Sequence, residues 1–213
     1  ETLATEELVQ KIYALNEDIG VHGILVQLPL PKHIDTPVIF KSIDPAKDVD
    51  GFTAYNIGKM FLDKKFEKLV PCTPRGIIHL LEDYKIDVMG KEAVVVGVSN
   101  IVGKPLATML VNRRATVTMC HSKTQDLAFH TRRADLLFVA IGKAKFITAD
   151  MVKEGVIVVD VGMNRDEQGK LCGDVDFEAV SKKASFITPV PGGVGPMTVA
   201  CLMENVVKAA QRM

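Results

Sequence analysis

Two hydrophobic rhythms divide the chain. From Thr5 the apolar positions Leu8, Ile12 and Leu15 recur at helical spacing behind the acidic pair Glu6 and Glu7. This pattern predicts a helix with Thr5 as its N-cap, ended by Gly20. The unbroken apolar run over 23–28 predicts a buried strand, stopped by Pro29 and Pro31. A short helix is expected over 36–43 with Asp35 as cap, then a polar, broken stretch over 44–51. Thr73-Pro74 sets up a further helix, with Thr at the N-cap and Pro at the first position, reaching about Tyr84.

Beyond residue 90 the rhythm changes. Strands are expected over 93–96, 116–119, 136–140 and 156–161, alternating with helices over 105–111, 126–133 and 149–153. Strand and helix alternating at this spacing mean βαβ units and a parallel sheet. A Pro/Gly loop over 189–196 and a helix over 197–211 close the chain. The fold class is therefore α/β: a Rossmann-like parallel-sheet domain preceded by part of a smaller α/β domain. The expected division is 1–74, 75–190 and a returning segment over 191–213.

Charge and cysteines narrow the function. Lys+Arg and Asp+Glu balance at 26 each, which argues against nucleic acid as a partner, since a phosphate-backbone binder needs a basic excess or stripe. Cys72, Cys120, Cys172 and Cys201 form no C-x-x-C pair and lie far from zinc spacing. They read as reduced thiols, which fits a cytoplasmic protein without a metal. No run reaches the roughly 18 apolar residues of a membrane span, and Glu1-Thr2-Leu3 resembles no signal peptide. The absent starting Met suggests a fragment or a processed form.

The segment from Val94 to Pro105 joins a buried strand to a helix. Gly97 permits the tight turn, and Gly103 permits close packing or close approach to a phosphate, with helix amides facing the anion. Ser99 stands near the place of the usual second glycine. A variant Rossmann loop and an ordinary βα turn both fit. A P-loop does not, because the glycines are one residue too far apart and Lys104 is followed by Pro105. After the next strand, where an NAD site places an acid on the ribose, the chain has His121-Ser122-Lys123. The missing acid favours a 2′-phosphate, hence NADP. Gly142 and Gly162 each follow a predicted parallel strand, the edge at which such sheets bind ligands.

Three further features carry candidate chemistry. Gln27 follows four apolar residues, and a buried amide must find partners. Asp50, in Asp48-Val49-Asp50-Gly51-Phe52, has the acceptor geometry for an amino-pyrimidinone edge, though a turn aspartate reads equally well. EF-hand spacing is absent. The segment Val190-Pro191-Gly192-Gly193-Val194-Gly195-Pro196-Met197-Thr198 fixes an unusual path, suited to lie along a flat ligand or to serve as a linker.

Taken together, V-Q-L-P-L-P at 26–31, D-V-D-G-F at 48–52, P-C-T-P-R-G at 71–76, G-V-S-N-I-V-G-K-P at 97–105, C-H-S-K-T at 120–124 and P-V-P-G-G-V-G-P-M-T at 189–198 resemble the bifunctional methylenetetrahydrofolate dehydrogenase/cyclohydrolase family. The resemblance covers the whole chain in order. It implies a folate-binding catalytic lobe over 1–74 and an NADP-binding lobe over 75–190, with tetrahydrofolate one-carbon derivatives as substrates. It assigns Asp50 to the pterin and Gln27 to support of the catalytic amine and the folate. Gly97, Ser99, Ile101 and Gly103 line the cofactor loop, Ser122 meets the 2′-phosphate, and Gly142 and Gly162 flank the cofactor. Pro191, Gly192, Gly193 and Thr198 border the nicotinamide and folate. It also implies a homodimer through the cofactor lobes.

The sequence departs from that family in two places. Val98 stands where some members have Arg beside the 2′-phosphate. The family's Tyr-x-x-x-Lys upstream of Q-L-P is not found, since Tyr13 is followed four residues on by Glu17. Tyr55 and Lys59 mimic the spacing after D-V-D-G and read as one face of a helix. The expectation is therefore an N-terminally truncated member without its catalytic lysine, impaired in cyclohydrolase activity. The alternatives are a non-catalytic folate- or nucleotide-binding fragment and a shikimate-type dehydrogenase, whose Lys/Asp pair is not found.

Overall fold

The computed structural model describes residues 3–211, which divide into two compact units, 3–72 with 201–211 and 73–200.

The first unit begins with α1 (Thr5–Glu17) and α2 (Thr36–Ser42). Ile12, Ile24, Ile34, Ile39 and Ile43 form their shared core. Ala4, not Thr5, is the N-cap of α1. The Glu7 carboxylate accepts the Ala4 N–H at 2.8 Å, while the Thr5 hydroxyl accepts the Asp35 N–H at 3.1 Å. The helix ends at Glu17, before Gly20. Its last carbonyls are taken by the buried Lys47, whose Nζ donates to Leu15, Asn16 and Asp18 oxygens at 3.0, 2.6 and 2.8 Å. A cation there meets the negative end of the helix dipole. Asp35 caps α2 as expected.

The predicted buried strand over 23–28 is a correction. It is irregular backbone with one isolated bridge, Ile24 to Asp48, and only Ile24 of the run is buried. A run becomes a strand when a neighbour pairs along its length, and among the described residues the bridge to Asp48 stands alone. Helix α3 (Ala54–Leu62), capped by the Thr53 hydroxyl at 3.4 Å from the Asn56 N–H, completes this stretch.

In the second unit, α4 (Cys72–Asp83) starts one residue before the expected Thr73 cap. The sheet follows: β1 (Glu92–Val96), α5 (Gly103–Asn112), β2 (Thr116–Cys120), α6 (Leu127–Thr131), β3 (Leu136–Val139) and β4 (Ile157–Asp160). Then come a hairpin of β5 (Asn164–Arg165) and β6 (Leu171–Cys172), α7 (Phe177–Val180) and β7 (Phe186–Ile187). The last helix, α8 (Val194–Ala210), starts three residues earlier than the expected 197, because Gly195 and Pro196 enter its first turn, where proline is tolerated.

The five long-sheet strands are all parallel, in the order β2-β1-β3-β4-β7. Central β1, β3 and β4 are almost wholly buried, as apolar runs covered on both faces must be. The chain leaves β1 for β2 on one side and later returns to β3 on the other. The carboxyl ends of β1 and β3 therefore form a topological switch point, where open α/β sheets bind ligands.

Candidate active site

In the first unit the Asp48-Val49-Asp50-Gly51 turn separates two acids by role. Asp48 is buried, and its carboxylate accepts from the Gly51, Phe52 and Thr53 amides at 2.9, 3.2 and 2.8 Å and from Asn56 Nδ2 at 2.9 Å. It builds the loop. Gly51 completes the turn at φ +73°, where a Cβ would lie 2.4 Å from the Val70 carbonyl carbon. No N–H of the described residues reaches the Asp50 carboxylate. Burial, reinforced by Asp48, pushes its pKa up to about 6. A half-buried carboxylate with its acceptors unused is suited to a ligand that brings its own donors.

Asp48→Ala leaves four donors behind and is expected to destabilise the fold by about 3 kcal/mol, read from a urea unfolding midpoint. An unchanged midpoint would show that the turn holds without this carboxylate.

Gln27 is not the buried amide expected. It is exposed, and its Nε2 donates to the next residue's carbonyl at 2.9 Å. No hydrogen bond joins it to Asp50 among the described residues. Tyr55 and Lys59 lie on α3, the ammonium 4.4 Å from the ring centre, as a cation–π pair on a helix face. Asn205, in the part of the chain after residue 200 that belongs to this unit, donates through Nδ2 to Val49 and Val70 oxygens at 2.8 and 2.9 Å.

In the second unit the switch point is shaped by glycine. Gly97 has φ +123°, and a Cβ there would meet the Ala140 oxygen at 2.2 Å. A Cβ on Gly103 would sit 1.9 Å from the Gly97 oxygen. The loop closes on itself so tightly that only hydrogen fits at either place. The Ser99 hydroxyl folds back on the loop. Its Oγ accepts from the Val102 and Gly103 amides at 3.1 and 3.3 Å, so it caps α5, and those two amides are already engaged. Ile101 is exposed at the tip of the loop.

Ser122 lies in an exposed turn after β2. The turn is held by the His121 N–H to Thr124 Oγ1 at 2.8 Å and the Lys123 N–H to His121 Nδ1 at 3.1 Å. Ser122 and Lys123 both project from it without an acid beside them in sequence.

The ends of β3 and β4 hold a pair of buried acids that sequence reasoning passed over. The Asp174 carboxylate accepts from Ile141, Gly142 and Lys143 amides at 2.6, 3.1 and 2.8 Å and from Asn164 Nδ2 at 2.8 Å. Asp160 accepts from Gly162, Asp174 and Val175 amides, each at 2.9 Å. Burial pushes Asp160 upward, against those three amides. Gly142 has φ +66° and open space around it, whereas Gly162 is needed for room, since a Cβ there would meet Asp174 Cγ at 2.3 Å.

Beside β4 opens a cavity of about 470 Å³, lined by Val102, Asp160 to Met163, Leu171, the stretch Pro189 to Pro196, and the hydroxyl pair Thr73 and Thr198, 3.0 Å apart. The cavity brings together Gly162, Pro191, Gly192, Gly193 and Thr198 of the expected site. Its wall is mainly apolar, as a flat aromatic ring requires. Thr73 was missed because a hydroxyl in a helix's first turn reads as a cap. Asp160 and Asp174 did carry a signal: an acid after four apolar residues in V-I-V-V-D, and another in G-D-V, are as unusual as Gln27.

The residues present fit a phosphorylated dinucleotide. A glycine turn at the switch point, a hydroxyl- and cation-bearing turn after β2 and an apolar cavity at β4 follow one another along the carboxyl edge. Among the described residues no helix is long and apolar enough to cross a membrane.

The chain matches the model of the tetrahydrofolate dehydrogenase/cyclohydrolase catalytic domain over residues 1–50 and that of the same family's NAD(P)-binding domain over residues 71–213. It is 57% identical over 211 residues to the bifunctional protein FolD of Nautilia profundicola and 56% identical to that of Bacillus subtilis, in each case over 99% of this chain and 74% of the relative. The crystal structure of the bifunctional FolD methylenetetrahydrofolate dehydrogenase/cyclohydrolase from Campylobacter jejuni superposes with a TM-score of 0.96 at 58% identity, covering 99% of this chain and 74% of that one. The Trypanosoma brucei enzyme complexed with NADP cofactor and inhibitor superposes at 0.94 with 38% identity, over the same shares. The chain belongs to the tetrahydrofolate dehydrogenase/cyclohydrolase family.

Proposed function

We infer that the chain is an NADP-dependent methylenetetrahydrofolate dehydrogenase and methenyltetrahydrofolate cyclohydrolase. It oxidises 5,10-methylenetetrahydrofolate to the methenyl form and hydrolyses that to 10-formyltetrahydrofolate. The observation that carries this reading is the match to bifunctional relatives over 99% of the chain. The alternative of a non-catalytic fragment has no support among these relatives.

When bound, NADP supplies the hydride acceptor at its nicotinamide ring. The folate's own nitrogens stabilise the cation left behind, so oxidation asks the protein for placement more than for acid–base work. That demand suits a cavity walled by glycine, proline and apolar side chains, which shapes a flat slot and keeps water out. Asp50 is assigned to the pterin, where its unused acceptor oxygens take up two ring N–H groups. In hydrolysis a water oxygen bonds to the methenyl carbon and loses both its protons in turn, one released to solvent and one taken up by a ring nitrogen as the bond from that nitrogen to the carbon breaks. Gln27 is assigned to orient groups for that step, and its exposure leaves it accessible to them.

Ser122 is assigned to the 2′-phosphate, with Gly97, Ser99, Ile101 and Gly103 along the pyrophosphate and Gly142, Gly162 and Thr198 on the nicotinamide side. A homodimer and a cytoplasmic setting belong to the same proposal and rest on the family resemblance. The test is direct: mix the purified chain with methylenetetrahydrofolate and NADP and follow NADPH absorbance. Growth well above the protein-free rate is expected. Growth at the protein-free rate would overturn the dehydrogenase reading.

A further inference from the structure

The Asp174 carboxylate is fully buried and takes four donors, two on each oxygen. Three come from consecutive amides of the loop after β3, and the fourth from Asn164 at the base of the β5–β6 hairpin. The Asp174 backbone N–H is itself held by Asp160, the last residue of β4. Glycines at 162 and 173 let the two acids pack this closely, since a Cβ at Gly173 would lie 1.8 Å from Asp160 Oδ2. Asp174 therefore joins three separate segments, two through its carboxylate and the end of β4 through its backbone N–H. Two of them, the end of β4 and the hairpin, also supply walls of the cavity through Gly162, Met163 and Leu171. Neutral stabilisation of the fold would not require a charge here; four convergent donors at fixed angles do, because only a carboxylate offers four acceptor directions.

We propose that Asp174 is a positioning residue for the NADP reaction, setting the nicotinamide side of the cofactor site by holding the loop after β3 and the hairpin on its carboxylate while its backbone N–H is held by Asp160 at the end of β4. The proposal rests on the NADP reading above. It does not place Asp174 against the cofactor. The adenosine side, at β1 and β2, lies outside its hydrogen bonds.

The two ends of the cofactor make the test. In Asp174→Asn the side chain keeps its size, but its NH₂ group must face two N–H donors. NADPH binding is read from its fluorescence, and binding of adenosine 2′,5′-bisphosphate, which lacks the nicotinamide half, from calorimetry. The variant is expected to bind NADPH about tenfold or more weakly and the bisphosphate within about twofold of the native chain. Asn164→Ala removes one donor, at a half-buried position, and is expected to weaken NADPH about threefold while sparing the bisphosphate. It decides the matter alone if Asp174→Asn does not fold. Val180→Ala, a core change at the last residue of α7, controls for lost stability and is expected to leave NADPH affinity unchanged. NADPH affinity kept within about twofold in the folded variants, or equal weakening of both ligands, would overturn the positioning role while leaving the cofactor reading intact. A native chain that binds no NADPH would overturn both.

Discussion

Replacing Asp50 with Asn is expected to cut kcat/KM for methylenetetrahydrofolate by about a hundredfold or more while making the protein more stable. The loss follows from charge-assisted hydrogen bonds of about 1.5–3 kcal/mol each, two of which the amide cannot accept in the same way. The gain follows from the raised pKa. Asp50 sits at about 6 in the folded chain against 3.8 in its absence, mainly because burial disfavours the charge and then because Asp48 lies near. The folded state therefore holds this proton more tightly than the unfolded state does. Ionised Asp50 destabilises the fold at neutral pH, and the penalty fades as pH falls from about 6 toward 3.8. Two pKa units would be nearly 3 kcal/mol, but solvent reaches part of the group, so about 1–2 kcal/mol is expected.

Three measurements check this account. Thermal unfolding at pH 7 should show the variant melting several degrees higher. The difference should shrink as pH falls below about 6. In the native chain kcat/KM for the folate should fall through the same window, as the free enzyme's carboxylate takes up a proton. A variant that is both active and no more stable would remove Asp50 from the binding role and from the buried, strained state together.

Gly103→Ala is expected to abolish NADPH binding at concentrations that saturate the native chain, and to lower stability by about 1–3 kcal/mol. The new methyl would stand 1.9 Å from the Gly97 oxygen and 2.7 Å from its carbonyl carbon. Those atoms are backbone and have nowhere to go, because Gly97 already rests against Ala140 at the end of β3. The loop must open, pulling the Ser99 hydroxyl off the first amides of α5. Binding is read by NADPH fluorescence and stability by denaturant titration. Normal affinity in a folded Gly103→Ala chain would mean that the switch-point loop does not cradle the cofactor. Ser99→Ala, which removes only the cap, should cost about 1 kcal/mol.

The sheet was legible because its signal is local. Val94, Val95 and Val96 form an apolar run too short for a helix, Gly97 ends it, and β3 and β4 are likewise apolar runs soon followed by Gly142 and Gly162. The run over 23–28 has the same composition and fails, because composition says how apolar a segment is and not whether another strand lies alongside. Gln27 was misplaced for that reason: its burial was inferred from a strand that does not form. The hairpin of β5 and β6 escaped notice since two-residue strands carry no alternation to detect.

Among the site residues, glycines were the most readable, because steric need shows as residue type. The two acids of Asp48-Val49-Asp50 could not be told apart from sequence, since their division of labour depends on which one the Gly51, Phe52 and Thr53 amides turn toward. The long-range ties of Asp160 and Asp174 were invisible for the same reason. The partners of the Ser99 hydroxyl were equally hidden, since a serine in a loop does not show which amides it will accept from.

The most direct test of the central claim uses methylenetetrahydrofolate carrying deuterium on the bridging carbon. With the purified chain and NADP in ordinary water, the account predicts that the label passes from carbon to nicotinamide, so that the NADPH formed carries one deuterium and draws no hydrogen from solvent at that position. NADPH formed with hydrogen from water, or label released to solvent while methenyltetrahydrofolate accumulates, would contradict it.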